Sequence, residues 1–255
     1  MIQILNKILR KTTKNIPIPK YGLPNARNVL VIAPHMDDDI VGCGGTIHMM
    51  VQGGTEISIL YITNGCSGNS KMQYDEQLGN IRKLEAENAA FYITGDKCKN
   101  LFYLNISDSS LLKHIDQTDV LKDIFAQDEY DAVFVPYAID IHPDHRATNY
   151  LFVNALEQMG QINNMVIYFY EVWVPLIPNF VVDITSCFEE KCRALKMHES
   201  QISAKNYLGM IGCLNGYRAS FADRNEMLYA EAFYKCSIEE YIQIVNDVRY
   251  NLICK

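Results

Sequence analysis

No Cys-x-x-Cys pair, no long apolar run, no excess of basic charge and no internal repeat occurs in these 255 residues, and each absence removes a class of protein. The eight cysteines, at 43, 66, 98, 187, 192, 213, 236 and 254, stand singly, with no histidine at zinc-finger spacing, which argues against a structural thiolate zinc site. Scattered through strand-like and helix-like segments, they read as buried thiols of a reducing compartment, and the cytoplasm is the location they favour. No stretch approaches the roughly 20 apolar residues that a membrane-spanning helix requires. With 23 basic against 30 acidic residues, the formal charge of -7 gives no footprint for a nucleic-acid backbone. What remains is an ordinary globular composition, 49% hydrophobic and 21% charged, able to bury a substantial core.

Residues 1–27 form a basic N-terminal extension: the first 22 carry Lys and Arg but no acid, and Ile4, Leu5, Ile8 and Leu9 recur at helical spacing. Lys7 and Arg10 interrupt this stretch too early for a signal-peptide core. It reads as a short helix docked on the domain; peripheral contact with the anionic inner face of a membrane is the sharper alternative.

Beyond the extension, apolar runs alternate with helical patterns. The segment 28–33 is a continuous β-branched run of the kind found in strands buried on both faces. A helix follows over 39–52, stopped by Gly53-Gly54, then a strand over 56–63, a polar loop through Gly68 and a helix over about 78–92. Residues 101–104 and 131–137 read as further strands, with a helix over 110–126 between them and another over 144–159. Strands over 164–171 and 180–184 and helices over 186–201 and 237–248 complete the pattern, the last third being the hardest to order. This rhythm predicts one α/β domain over residues 1–255: a mostly parallel, Rossmann-like sheet flanked by helices on both faces. In such sheets ligands bind beyond the carboxyl ends of the strands.

Two histidine clusters stand at such ends. His35-Met36-Asp37-Asp38-Asp39 follows the first buried strand, and three adjacent carboxylates call for a positive counter-charge, most simply a divalent cation. His35 and Asp38, three residues apart on a turn that begins a helix, can face one point while Asp37 faces a neighbouring one. The second cluster, His142-Pro143-Asp144-His145, supplies two imidazoles and a carboxylate after another strand. A His, Asp and His donor set with a fourth position open describes a catalytic zinc site. His48, His114 and His198 read as surface or satisfied packing residues.

These residues resemble the PIG-L/LmbE-like de-N-acetylases, whose His-Pro-Asp-Asp-Glu and His-x-Asp-His motifs are matched at 35–39 and 142–145; Arg82 with Glu85, Asp108, Val182 to Thr185, Lys191 and 198–201 also look familial. The resemblance implies one zinc per chain, or another divalent metal, held by His35, Asp38 and His145. It implies Asp37 as general base, His142 as stabiliser of the oxyanion, and Asp144 as the carboxylate that orients a histidine. Arg82 and Asp108 are expected to contact the substrate; a salt-bridged helix residue and a turn aspartate are the plainer alternatives. The implied reaction is removal of an N-acetyl group from an amino sugar or N-acetylglucosamine-containing glycoconjugate. The chemistry is consistent with these roles, since a cation acidifies water, a carboxylate can take its proton, and a protonated imidazole can meet a developing oxyanion. Met36 and Asp39 depart from the family's Pro and Glu, and Asp140 stands where some members carry Tyr. Trp173, the single tryptophan, reads as core or rim packing.

Two other readings compete. Gly42-Cys43-Gly44-Gly45 after a strand suggests a nucleotide-binding loop, but a dinucleotide fingerprint needs a third glycine where Ile47 stands, so these glycines are expected to let the helix approach the sheet. A non-catalytic sugar-binding protein would be expected to have lost a ligand or the base, and none is missing. Neither the N-acetylated substrate nor the oligomeric state is legible.

Overall fold

The computed structural model of the chain describes residues 19–67, 76–160, 165–222 and 226–253. In chain order the strands and helices are β1 (Lys20–Tyr21), β2 (Asn28–Ala33), α1 (Asp38–Gln52), β3 (Glu56–Thr63), α2 (Glu76–Thr94), β4 (Cys98–Ile106), α3 (Asp119–Gln127), β5 (Ala132–Pro136), α4 (Pro143–Met159), β6 (Val166–Tyr170), β7 (Phe180–Asp183), α5 (Phe188–Lys196), α6 (Glu199–Ile202), α7 (Tyr207–Ala219), β8 (Ala230–Cys236) and α8 (Ile238–Ile253). The described strands form one sheet in the order β1-β7-β8-β6-β5-β2-β3-β4. All pairings are parallel except those of β8, which runs antiparallel to β6 and β7. The expected mostly parallel α/β architecture is therefore present.

Alternation along β2 explains the helices on both faces. Val29, Val31 and Ala33 join the core built with α1, α2 and α5, whereas Leu30 and Ile32 join the one built with α3, α4 and α8. Each layer buries apolar area worth roughly 25 cal/mol per Å². From β2 the chain moves outward through β3 to β4, then returns to place β5 on the other side of β2. The carboxyl ends of β2 and β5 thus lie side by side where the strand order reverses, the usual position of a ligand crevice. Both histidine motifs begin there.

Several boundaries differ from expectation. The helix predicted over 110–126 starts only at Asp119: Ser109 has φ 63 and a short 3-10 turn covers Leu111–Lys113. The left-handed backbone at Ser109 is incompatible with an N-cap that leads directly into a helix. The helix expected over 186–201 divides into α5 and α6, with His198 (φ -83, ψ 59) outside helical geometry. Strand β8 and helix α7 escaped notice because β8 mixes a buried Glu231 into its apolar residues and α7 carries little amphipathic contrast. Of the basic extension, residues 1–18, including the expected helix, lie outside the described residues; Lys20 and Tyr21 form the edge strand beside β7. No described helix is long and apolar enough to cross a membrane, and the seven described cysteines are free.

Helix α1 carries the first motif and is locked from beneath. Cys43 departs from helical geometry (φ -144, ψ 17), which frees the amides of the next turn. Gly45 N and Thr46 N donate to the Glu231 carboxylate at 2.9 and 2.7 Å, and Lys191 Nζ neutralises it at 2.6 Å. Gly42 lies against the Tyr170 ring and Gly45 against Ile184, so close that a Cβ would collide at either position. As expected, these glycines serve close packing of helix on sheet.

Candidate metal centre

Pro34 O, just past β2, accepts hydrogen bonds from Thr63 N (3.0 Å) and Thr63 Oγ1 (2.9 Å), anchoring the loop to β3. Asp38 then folds back: its Oδ2 accepts from His35 N at 2.9 Å and lies 3.0 Å from His35 Nδ1. From α4, His145 Nε2 comes within 3.2 Å of Asp38 Oδ2 and 3.3 Å of His35 Nδ1. A tetrahedral zinc with bonds of about 2.0–2.1 Å spaces its donor atoms by about 3.3 Å. The triangle therefore has the size of one face of such a tetrahedron, and the donors present fit a divalent ion. A looser set also exists, since ligand nitrogens of His35, His142 and His145 lie within 4.8 Å of one another.

Both imidazoles of the tight set are backed by carboxylates. Asp144 Oδ2 lies 3.4 Å from His35 Nε2 and is itself held by Ser109 N at 2.7 Å. Asp140 Oδ2 lies 3.5 Å from the buried His145 Nδ1. Such partners fix the ring and the tautomer, leaving the other nitrogen's lone pair for the metal. Asp140 also accepts from His142 N at 2.8 Å and Trp173 N at 3.0 Å, so one fully buried carboxylate joins the second motif to the loop after β6. Sequence reasoning noted Asp140 only as a departure; its role becomes visible once β5 and β6 are neighbours.

Crowded charge sets the protonation states. Burial by itself would lower the His35 pKa, but hydrogen bonds to Asp144 and Asp38 outweigh it and raise the pKa to about 10. Burial would raise Asp38, yet His145 and His35 hold it well below the usual carboxylate range. Asp37 is the opposite case: burial, aided by Asp38, pushes its pKa up despite Arg82. His142 is lowered to about 4 by burial and then by the charge of His35 and His145. Its Nδ1 accepts from Asp144 N at 3.2 Å as the N-cap of α4, so the proton of the neutral ring resides on Nε2. Where a protonated imidazole was expected, the surroundings favour a neutral one with a donor on Nε2.

Asp37, Arg82, Asp108 and His142 share a cavity of about 270 Å³ with His35 and Asp38, while Asp144 and His145 are buried behind it. Arg82 is 2% exposed; its Nη2 lies 3.5 Å from Asp37 Oδ1, its Nη1 3.9 Å from Asp108 Oδ2, and Nη1 donates to Gly65 O at 3.2 Å. Asp108 accepts from Gly65 N at 3.0 Å and Ser67 N at 2.8 Å. Both residues thus line the cavity while also bracing its loops. The departures from the family motif point elsewhere: Met36 is core, and Asp39 accepts from Tyr61 Oη at 3.1 Å beneath the site.

Trp173, Lys205 and Tyr207 form another part of the cavity wall. Trp173 therefore packs at the rim; Lys205, between α6 and α7, and Tyr207, the first residue of α7, went unnoticed because that stretch carries no clear periodicity. His198, expected to be a satisfied packing residue or on the surface, is fully buried with no hydrogen bond to either ring nitrogen, and burial lowers its pKa to about 3. His48 Nδ1 faces Ile93 O at 3.2 Å, and the half-buried His114 lies beside Gln117, its Nδ1 3.1 Å from Gln117 Nε2.

Comparison with known proteins finds relatives in sequence and in fold. Residues 30–156, which span both motifs, match the family model PIG-L, described as GlcNAc-PI de-N-acetylase. The chain is 27% identical over 194 residues to diacetylchitobiose deacetylase of Thermococcus kodakarensis, covering 69% of this chain and 71% of the relative. It is 28% identical over 199 residues to the probable N-acetyl-alpha-D-glucosaminyl L-malate deacetylase 2 of Bacillus cereus, covering 70% and 85%. Among solved structures, N,N'-diacetylchitobiose deacetylase from Pyrococcus horikoshii superposes with a TM-score of 0.71 at 26% identity, covering 92% of both chains.

Proposed function

This chain belongs to the PIG-L/LmbE-like family of de-N-acetylases, and on that premise we propose that it is a zinc-dependent hydrolase that removes the N-acetyl group of an amino sugar or a glycoconjugate containing N-acetylglucosamine. The observation that carries this reading is the triangle of His35 Nδ1, Asp38 Oδ2 and His145 Nε2, with edges of 3.0, 3.2 and 3.3 Å, beside the unligated carboxylate of Asp37. These three residues would hold the ion. When bound, it would supply Lewis acidity, acidifying a water and polarising the amide carbonyl.

The remaining chemistry belongs to the chain. Asp37, with its pKa raised by burial, is a stronger proton acceptor than an exposed carboxylate and takes the proton of the attacking water, later returning it to the departing amine. Arg82 opposes that shift and favours the ionised carboxylate. His142 presents its Nε2 hydrogen to the oxygen on which negative charge develops, a role for which a neutral donor suffices. Asp144 and Asp140 hold His35 and His145 in their working tautomers. Arg82 and Asp108 position the sugar from the cavity side. The zinc-loaded protein is expected to release acetate from an N-acetylated amino sugar. No acetate from any of a panel of free sugars, glycosides and aminoglycosides, with one zinc per chain confirmed by metal analysis, would refute the reading.

A further inference from the structure

The two curated relatives carry different substrates in their names, a neutral disaccharide in one case and a sugar joined to malate in the other, at nearly equal identity. One wall of the cavity bears on this difference. Lys205 Nζ lies 3.4 Å from the centroid of the Trp173 ring and 5.8 Å from that of Tyr207, whose own rings are 5.9 Å apart at 50°. An ammonium held on an aromatic face is fixed in position and partly stripped of water. Lys205 forms no ion pair with a carboxylate among the described residues; burial lowers its pKa, countered only by the field of Asp37. The other cavity cation, Arg82, is already engaged with Asp37, Asp108 and Gly65 O. Helix α7 begins at Tyr207, so its positive end lies on the same side. Lys205 also covers one face of the Trp173 ring, which is then closed to a stacking sugar.

Resting on the deacetylase reading above, we propose that Lys205, presented by Trp173 and Tyr207, forms an anion subsite, and that the substrate is an N-acetylamino sugar bearing a carboxylate or phosphate on its substituent. The anion supplies the ammonium with the charged partner it lacks among the described residues, through a charge-assisted hydrogen bond. Neutral glycosides lack that contact.

Matched N-acetylglucosaminides carrying a methyl, a carboxylate or a phosphate substituent test this with zinc-loaded protein. At low salt, kcat/KM is expected to be at least about tenfold higher for one charged substrate than for the methyl glycoside, and the preference to shrink at high salt. Lys205→Met is expected to abolish most of this preference and Lys205→Arg to keep part of it; the comparison of the carboxylate and phosphate arms identifies the anion. Equal kcat/KM across all three substrates, or a preference that survives Lys205→Met, would overturn the proposal. Calorimetric binding of the same three glycosides to wild type and Lys205→Met reads the subsite without turnover. Absence of acetate in every arm would therefore sink the deacetylase reading, while charge-selective binding that depends on Lys205 would still be decided.

Discussion

Replacing Asp140 by Asn removes one charge and keeps the shape, and the structure specifies the consequences. The carboxylate accepts from His142 N at 2.8 Å on one oxygen and from Trp173 N at 3.0 Å on the other, which also faces His145 Nδ1 at 3.5 Å. An amide has a single oxygen. If it remains beside Trp173, His145 keeps an acceptor but loses the charge, and the His142 amide faces an NH2 group. If it turns to His142, the NH2 group faces Trp173 N and His145 Nδ1, driving His145 toward the tautomer that places a proton on Nε2 and removes its metal lone pair. Losing such a partner costs about 10- to 100-fold in metal affinity, or about 1.4–2.7 kcal/mol. A buried N–H left unpaired costs about 1–3 kcal/mol of stability as well. Zinc affinity is to be measured by competition with a chromophoric chelator at constant pH, alongside nitrogen NMR of His145 and thermal unfolding of the metal-free protein. If Asp140→Asn lowers stability while zinc affinity stays within about threefold of wild type and the tautomer is unchanged, Asp140 only braces the loop and the argument fails.

Asp37→Ala is expected to keep its zinc but lose roughly 10²- to 10⁴-fold in kcat; loss of the metal instead would make Asp37 a ligand. His145→Ala should lose metal and acetate release together, and retention of both would remove it from the donor set. Because the His198 pKa is depressed to about 3 in the folded protein, below about 6.5 the unfolded chain takes up a proton that the folded chain refuses, so stability falls as pH drops. Between pH 6.5 and 5 this amounts to about 1.6 kcal/mol, and denaturant titrations of metal-free His198→Gln should show that much less loss than wild type; parallel losses would contradict it. Gly42→Ala drives a methyl group into the buried Tyr170 ring and is expected to destabilise by about 1–3 kcal/mol, with a lower zinc affinity because α1 carries Asp38. An unfolding midpoint equal to wild type would show that the helix can shift freely.

The sequence by itself determined the strand-helix rhythm, the run of β2 into His35 and of β5 toward His142, and hence the two ends at which donors accumulate. Those signals are local: buried parallel strands require continuous apolar runs, helices require their period, and three adjacent carboxylates require a counter-charge. Local pattern also carried the glycines of α1, since small residues on a buried helix face have few other uses. Tertiary structure supplied the physical reason for the His145 that the resemblance implied beside His35 and Asp38, because the adjacency of β2 and β5 brings its Nε2 to 3.2 Å from Asp38 Oδ2. It alone revealed Asp140 behind His145, Glu231 with Lys191 beneath the kink at Cys43, and Lys205 over Trp173. Each of those contacts joins residues from separate elements, and nothing in the spacing of a single segment records which distant side chain will neutralise its charge. The two histidine motifs were legible because their side chains are clustered along the chain; the residues that support them and shape the cavity were not, because folding alone brings them together.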